Sequence, residues 1–160
     1  MEFSGLKEKT LVILKPDAVQ RGLVGEITKR FENKGLKLVG TKMINLQEAV
    51  LRDHYSHIAD KPFYGGVEKF MMSSPVVVQC WEGLEVVNAV RIITGITKAR
   101  EADAGSIRGD LAMSVACNVI HASDTVENAK EEVSRFFDQN ELFSYEKGDY
   151  LHVYISDERE

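Results

Sequence analysis

The chain has 160 residues, 44% hydrophobic and 28% charged, which suits one globular domain over 1–160 that buries roughly 70% of its unfolded surface without staples. Three prolines, 12 glycines and two cysteines, Cys80 and Cys117, exclude a collagen-like chain, a disulfide scaffold and a four-cysteine zinc site. With 20 Lys+Arg against 25 Asp+Glu, the net charge of −5 argues against an overall field that holds nucleic acid or an anionic membrane, so no stable partner of either kind is expected.

The first nine residues carry no apolar signal core, and the apolar runs are too short to span a bilayer, so a cytoplasmic protein is expected. Residues 1–9 and 156–160 read as tails. Between them, 10–14 is a short apolar run that predicts a buried strand, broken at Lys15-Pro16-Asp17-Ala18 because proline cannot donate to a ladder. Leu23, Ile27 and Phe31 recur at helical spacing with Gly35 as a stop, predicting a helix near 22–33. A strand is expected over 36–46. Asn45 with Glu48 fits a capping box opening a helix through about Tyr55. Lys61 to Gly66 reads as a turn-rich loop and 67–72 as a short helix. The clearest strand is 75–81, followed by a helix over 84–93 with Val86, Val87, Val90 and Ile93 as its stripe. Residues 94–112 form a long irregular segment, a length that usually marks function or disorder. Then come a strand over 113–120, a helix to about Phe137 opened by an Asp124/Glu127 capping box, and a weak strand or extended tail over 150–155.

The order β-α-β, two short helices, β-α-β, helix predicts an α/β (α+β) layering. Two split βαβ units give a four-stranded antiparallel sheet with helices packed on one face. A doubly wound parallel sheet is disfavoured because no Gly-rich phosphate loop follows the first strand.

His121 falls where a strand gives way to a helix, in Asn118-Val119-Ile120-His121-Ala122-Ser123-Asp124. Alone, such a histidine is most often structural. Glu132 on the following helix is placed to reach one ring nitrogen, which fixes the tautomer and leaves the other free to attack. Ser123 and Asp124 also suit helix caps. Lys15 sits at a strand end, Arg91 among apolar helix residues, and Arg108 between glycines in Gly105-Ser106-Ile107-Arg108-Gly109, where backbone can approach a ligand. Arginine's planar fork suits phosphate, although both arginines can equally pair with surface carboxylates. Thr97 adds a hydroxyl. Phe63, beside Tyr64 in a Pro/Gly loop, is either a loop anchor or a face for a base. Tyr55 is as consistent with a core as with a site. His54 and His57 flank it, but no Asp, Glu or Cys stands at metal-ligand spacing, so zinc is rejected.

Together these segments resemble the nucleoside diphosphate kinase family. The match rests on Lys15-Pro16-Asp17, Val19 to Glu26, His54-Tyr55, Lys61 to Tyr64, Ser74 to Val77, Ile107 to Asp110 and, most specifically, Asn118-x-x-His121-x-Ser123-Asp124. It runs from about Thr10 to Phe143; Cys117 and Ala122 look more like archaeal members. The resemblance implies a ferredoxin-like sandwich and transfer of the γ-phosphoryl group from a nucleoside triphosphate to a diphosphate, by a ping-pong route through phosphohistidine. His121 would be phosphorylated, with Glu132 orienting it helped by Ser123. Lys15, Arg91, Thr97 and Arg108 would hold phosphates, and Lys15 and Asn118 the ribose. Phe63 and Val115 would sandwich the base, and Tyr55 would steady Lys15 or the phosphate site. Mg2+ would travel with the nucleotide, with no direct protein ligand expected beyond Asp124 through water. A homo-oligomer is implied, a hexamer before a tetramer.

The chain departs from the family pattern at His57, where an acidic residue is usual, at Lys98-Ala99 in place of Asn-Pro, and at Ala104 in place of proline. An RNA-binding module is the rival for such a sheet, but residues 10–14 and 76–79 lack its aromatics and the charge is negative. A dead relative would lack the histidine or the arginines. A histidine phosphotransfer bundle would lack the strands.

Overall fold

The structure, a computed structural model, describes residues 7–159. Residues 1–6 and 160 of the expected tails lie outside the described residues. The strands are β1 (Lys9–Leu14), β2 (Lys37–Ile44), β3 (Val76–Glu82) and β4 (Ile120–Ala122). They form one antiparallel sheet in the order β2-β3-β1-β4. The ferredoxin-like, split βαβ expectation is met.

Alternation along β1 divides the core, since successive side chains point to opposite faces. Val12 and Leu14 face one side with Val77 and Trp81. There they meet Ile27 and Phe31 of α2 (Val24–Lys34) and Val86 and Val90 of α5 (Val86–Thr94). Leu11 and Ile13 face the other side with Val76, Val78 and Cys80. That face is covered by Leu51 of α3 (Glu48–His54), Met71 of α4 (Tyr64–Met71), and Val133 and Phe136 of α7 (Val126–Phe136). Helices thus cover both faces, not one, because β1 and β3 are apolar on both sides. Phe31 and Trp81, both fully buried with ring centroids 5.3 Å apart, anchor the first layer; truncating either to alanine costs about 3–5 kcal/mol.

Several local expectations change. Pro16 breaks the strand but also opens a short helix, α1 (Pro16–Gln20), at a position where its missing N–H is harmless. α2 ends at Gly35, whose φ of 100° needs no Cβ. The Asn45/Glu48 box does not form: α3 starts after Gln47, with no side-chain cap. α4 begins at Tyr64, inside the expected loop. The irregular segment holds one 3-10 turn, Ala99–Glu101, and α6 (Ile107–Leu111). Of the strand expected over 113–120 only Ile120 is strand, because Met113 and Val115 are exposed and apolar content alone does not pair a segment. Thr125, not Asp124, caps α7, its hydroxyl accepting from Asn128 N at 3.1 Å. The region read as a strand at 150–155, and the tail after it, hold α8 (Tyr150–Val153) and α9 (Ser156–Arg159), with Tyr150 buried. Lys9, read as tail, begins β1.

The outer edge of β2 is occupied by the chain that follows α7. Phe143 N donates to Val39 O at 2.8 Å and Tyr145 Oη to Leu38 O at 2.6 Å. At Gly40 a Cβ would lie 3.1 Å from Glu141 O, so this close approach depends on glycine.

Candidate active site

A cleft of about 680 Å³ opens beside β4. Its lining includes Lys15, Tyr55, Arg91, Thr97, Arg108, Val115, Asn118, His121, Asp124 and Glu132. One concave surface thus gathers most of the sequence-derived site residues. Ser123 is fully buried behind it, and Phe63, 58% exposed, is not part of the lining.

β4 carries His121 at the sheet edge, paired with Ile13. His121 Nε2 lies 3.1 Å from Glu132 Oε1, on the second turn of α7. Ser123 Oγ donates to the other carboxylate oxygen and accepts from Leu11 N at 3.2 Å. Burial pushes the Glu132 carboxyl upward, but the hydrogen bonds and charge of His121, and the Ser123 hydroxyl, hold it below the usual carboxylate range. A carboxylate facing Nε2 keeps the proton there and leaves Nδ1 with its lone pair.

The approach to β4 is strained. Val119 has φ 65°, a region a β-branched residue rarely occupies, at a cost of about 1–3 kcal/mol. The turn closes with Ile120 N donating to Asn118 O at 2.8 Å. Asp17 Oδ2 accepts from Val119 N at 3.0 Å, and Lys15 N donates to Val119 O at 2.9 Å. Lys-Pro-Asp after β1 therefore clamps this turn as well as ending a strand.

Asn118, 1% exposed, commits both amide protons and one of its two Oδ1 lone pairs to this frame. Nδ2 donates to Thr97 O and Val115 O at 3.1 and 3.0 Å, and Oδ1 accepts from Lys15 Nζ at 2.7 Å. Burial, and then the Arg108 cation, push the Lys15 ammonium down to about 8. Arg108 is held by three carbonyls: Asn118 O at 3.4 Å, Gly95 O at 3.0 Å and Ile120 O at 2.5 Å. It pairs with backbone, not with the surface carboxylates that were one expectation. Burial and the neighbouring Arg91 lower it to about 10. Three cations converging in a half-enclosed cleft, each depressed or exposed, make a site for a polyanion. Burial and then Glu132 push the Tyr55 phenol up to about 12, so it stays a neutral donor.

The glycines around Arg108 have another purpose than ligand access. A Cβ on Gly109 would sit 1.9 Å from Asp103 O, so Gly109 admits the chain's own carbonyl. Gly105, at φ 95°, completes the turn in which Ser106 N donates to Asp103 O at 3.1 Å.

Sequence spacing did not reveal His54 or Arg135. His54, Glu132 and His121 place three ligand-type atoms within 4.8 Å of one another. The His54 Nδ1 lone pair already faces Arg135 Nη1 at 3.2 Å, and two imidazoles with one oxygen suit a softer ion than Mg2+. Asp124, on the exposed rim, accepts from Asn128 Nδ2 at 2.6 Å and offers the hard oxygen that a hydrated ion prefers.

Fold and cleft define an α+β protein with a carboxylate-oriented histidine facing a cationic pocket. A family model described as nucleoside diphosphate kinase matches residues 8–142. The nucleoside diphosphate kinase of Parabacteroides distasonis is 50% identical over 151 residues, covering 94% of this chain and 99% of that one. Nucleoside diphosphate kinase 3 of Danio rerio is 49% identical over 145 residues, covering 91% and 86%. The structure of a halophilic nucleoside diphosphate kinase from Halobacterium salinarum in complex with CDP superimposes with a TM-score of 0.91 at 40% identity, over 93% of this chain and 99% of that one. The chain belongs to the nucleoside diphosphate kinase family. It is a nucleotide-binding phosphotransferase that moves the γ-phosphoryl group of a nucleoside triphosphate to a nucleoside diphosphate.

Proposed function

We propose that the transfer runs by a ping-pong route through phosphorylated His121. The observation that carries this reading is the Glu132 contact at 3.1 Å to Nε2, which leaves Nδ1 as the attacking nitrogen. In the first half-reaction the Nδ1 lone pair forms the N–P bond as the bond from γ-phosphorus to the bridging oxygen breaks. The electron pair leaves with the nucleoside diphosphate. Glu132 stabilises the positive charge that grows on the ring, and Ser123 holds Glu132 in place. A terminal phosphate oxygen of the second diphosphate then attacks the phosphohistidine and regenerates neutral His121.

Lys15, Arg91 and Arg108 neutralise the phosphates and the charge moving onto the leaving oxygen. Thr97 adds a phosphate contact, Lys15 and Asn118 the ribose contacts, and Tyr55 steadies Lys15. The exposed faces of Phe63 and Val115 receive the base by stacking and apolar contact, a mode that tolerates every base. The solved relative that holds CDP supports a nucleoside diphosphate as the second substrate. Mg2+ enters as part of the nucleotide substrate, with Asp124 reaching it through water. The protein is read as one domain, cytoplasmic and homo-oligomeric, a hexamer before a tetramer; exposed Ile92, Met113, Leu151 and Ile155 supply apolar surface for the assembly.

The test is incubation with γ-labelled ATP. Acid-labile, alkali-stable label on His121, discharged by added GDP, supports the reading. Transfer to GDP by His121→Ala at the wild-type rate overturns it.

A further inference from the structure

His54 ends α3 and lies under the cleft, with its side chain 1% exposed. Its ring stands edge-on to His121, with centroids 4.6 Å apart and planes at 77°. Phe136 and Tyr55 close two other sides at 5.4 and 4.7 Å. The charged and titratable groups around it are Asp53, Tyr55 and His57 from its own element and the loop after it, Glu132 and Arg135 from α7, and His121 from β4.

Two distances define the problem. His54 Nδ1 lies 3.2 Å from Arg135 Nη1 and 3.9 Å from Glu132 Oε1. That same Oε1 holds His121 Nε2 at 3.1 Å. A proton on His54 Nδ1 would give Oε1 a second imidazole donor, and His121 would lose its exclusive partner. A guanidinium has only donors. Facing Nδ1, it requires Nδ1 to be the acceptor and places the ring proton on Nε2, which finds no protein partner among the described residues. Arg135 is in turn held by Asp53, to whose carboxylate its Nε donates. The chain Asp53–Arg135–His54 therefore ends beside the catalytic carboxylate without touching the reacting atoms.

We propose that Arg135 is a positioning residue that holds His54 as the neutral Nε2–H tautomer, so that Glu132 Oε1 stays committed to His121. Burial, then the charges of His121 and Arg135, act in the same direction and push His54 down to about 3. The proposal rests on the reading of His121 as the phosphorylated residue.

The test uses the intact protein labelled with nitrogen-15 at histidine. In the wild type, ring nitrogen spectra between pH 5.5 and 7.5 should show His54 protonated on Nε2 and bare on Nδ1 throughout. Arg135→Leu keeps an apolar stem and removes the donor. His54 Nδ1 should then be able to carry a proton, with His54 titrating at a higher pH than in the wild type while burial still holds it below its ordinary 6.5, and kcat/KM on the acid side should be lost from a higher pH than in the wild type. Arg135→Lys, which keeps a cationic donor, should recover most of the loss. Adding His54→Gln to Arg135→Leu should remove the new acid limb. A wild-type His54 with its proton on Nδ1 overturns the proposal, and that measurement needs no variant to fold. So does an Arg135→Leu enzyme with the wild-type pH profile. Labelling of His121 by γ-labelled ATP is read on the same samples. Its absence in the wild type overturns the functional reading, whereas normal labelling with an unchanged profile overturns this inference alone.

Discussion

Lys15 Nζ donates to Asn118 Oδ1 at 2.7 Å, and this contact ties the end of β1 to the irregular chain leading into β4. It fixes a cation in the cleft across a separation of 103 residues. The ammonium titrates at about 8 because burial, and then Arg108, disfavour its charge.

The first prediction follows from that value. Lys15 is charged below about 8 and neutral above it, so kcat/KM for a nucleotide should fall as pH rises through that range. Lys15→Gln should lose this basic limb and lower kcat/KM at neutral pH by about 10- to 100-fold, the worth of a hydrogen bond to a charged group. Stability should move the other way. The folded pKa lies below the unfolded value of 10.5, so charged Lys15 costs stability below about 8, and the cost is relieved as pH rises toward 10.5. A basic limb that survives Lys15→Gln in steady-state profiles would assign it to another group.

Glu132 gives the second. Its carboxyl is held below the usual range despite burial. It therefore adds stability that is present above its ordinary 4.5 and is lost as pH falls below that value. Glu132→Gln keeps the shape but not the charge. It should lower the rate of His121 phosphorylation by about 10- to 100-fold, as loss of an orienting partner does, and flatten the acid side of the stability profile. Rapid-quench labelling and denaturant titration across pH check both.

The arginines should separate. Arg108 holds three backbone carbonyls as well as facing the cleft. Arg108→Ala should lower both kcat/KM and melting temperature, since each orphaned buried acceptor costs about 1–3 kcal/mol. Arg91 is an exposed lining residue, and Arg91→Ala should lower kcat/KM by about 100-fold or more with little change in melting. Arg100 donates to Met113 O from an exposed position outside the lining, and its alanine variant should match the wild type in both. Three variants alike in kinetics and calorimetry would contradict the cleft assignment.

The turn at 103–106 supplies the fourth. Ser106 N bonds Asp103 O, and Gly105 has positive φ while Ala104 does not. That is a type II turn with Ala104 at its second position, where proline is favoured. Ala104→Pro should stabilise by about 0.4–1 kcal/mol and raise the melting temperature by about 1–4 °C for a chain of this length. A lower melting temperature by calorimetry would show that the substituted ring clashes.

Much of this was legible from local pattern. Val12 and Leu14 with Val76 to Trp81 read as strands because apolar runs of that length have few other uses, and the Asn-x-x-His-x-Ser-Asp segment announced His121 and Ser123, with Glu132 offered by the helix that follows. Residues 113–120 misled because Met113, Val115, Val119 and Ile120 have strand composition. The chain there is shaped instead by one asparagine amide and a strained turn, neither of which has a periodicity. Tyr150 and Tyr154 read as strand residues for the same compositional reason, yet Tyr150 is buried on a helical turn. The contact between His54 and Arg135 joins residues 81 apart on two helices. Nothing in the sequence near either residue marks it, because only the packing of α3 against α7 brings them together.

The chain after α7 does more for solubility than its composition suggests. A four-stranded sheet has two rims where backbone donors and acceptors can recruit foreign strands. At one rim β4 is only three residues long, too short to template a neighbour. At the other β2 runs for eight residues, and the bonds from Phe143 and Tyr145 to Val39 and Leu38 occupy part of it. Those residues lie just beyond the family-matched span, which ends at 142. A version trimmed to the shared catalytic unit would keep every cleft residue named above and still bare a pairing edge. Its failure would show as filament or precipitate formation at high concentration before any loss of phosphoryl transfer.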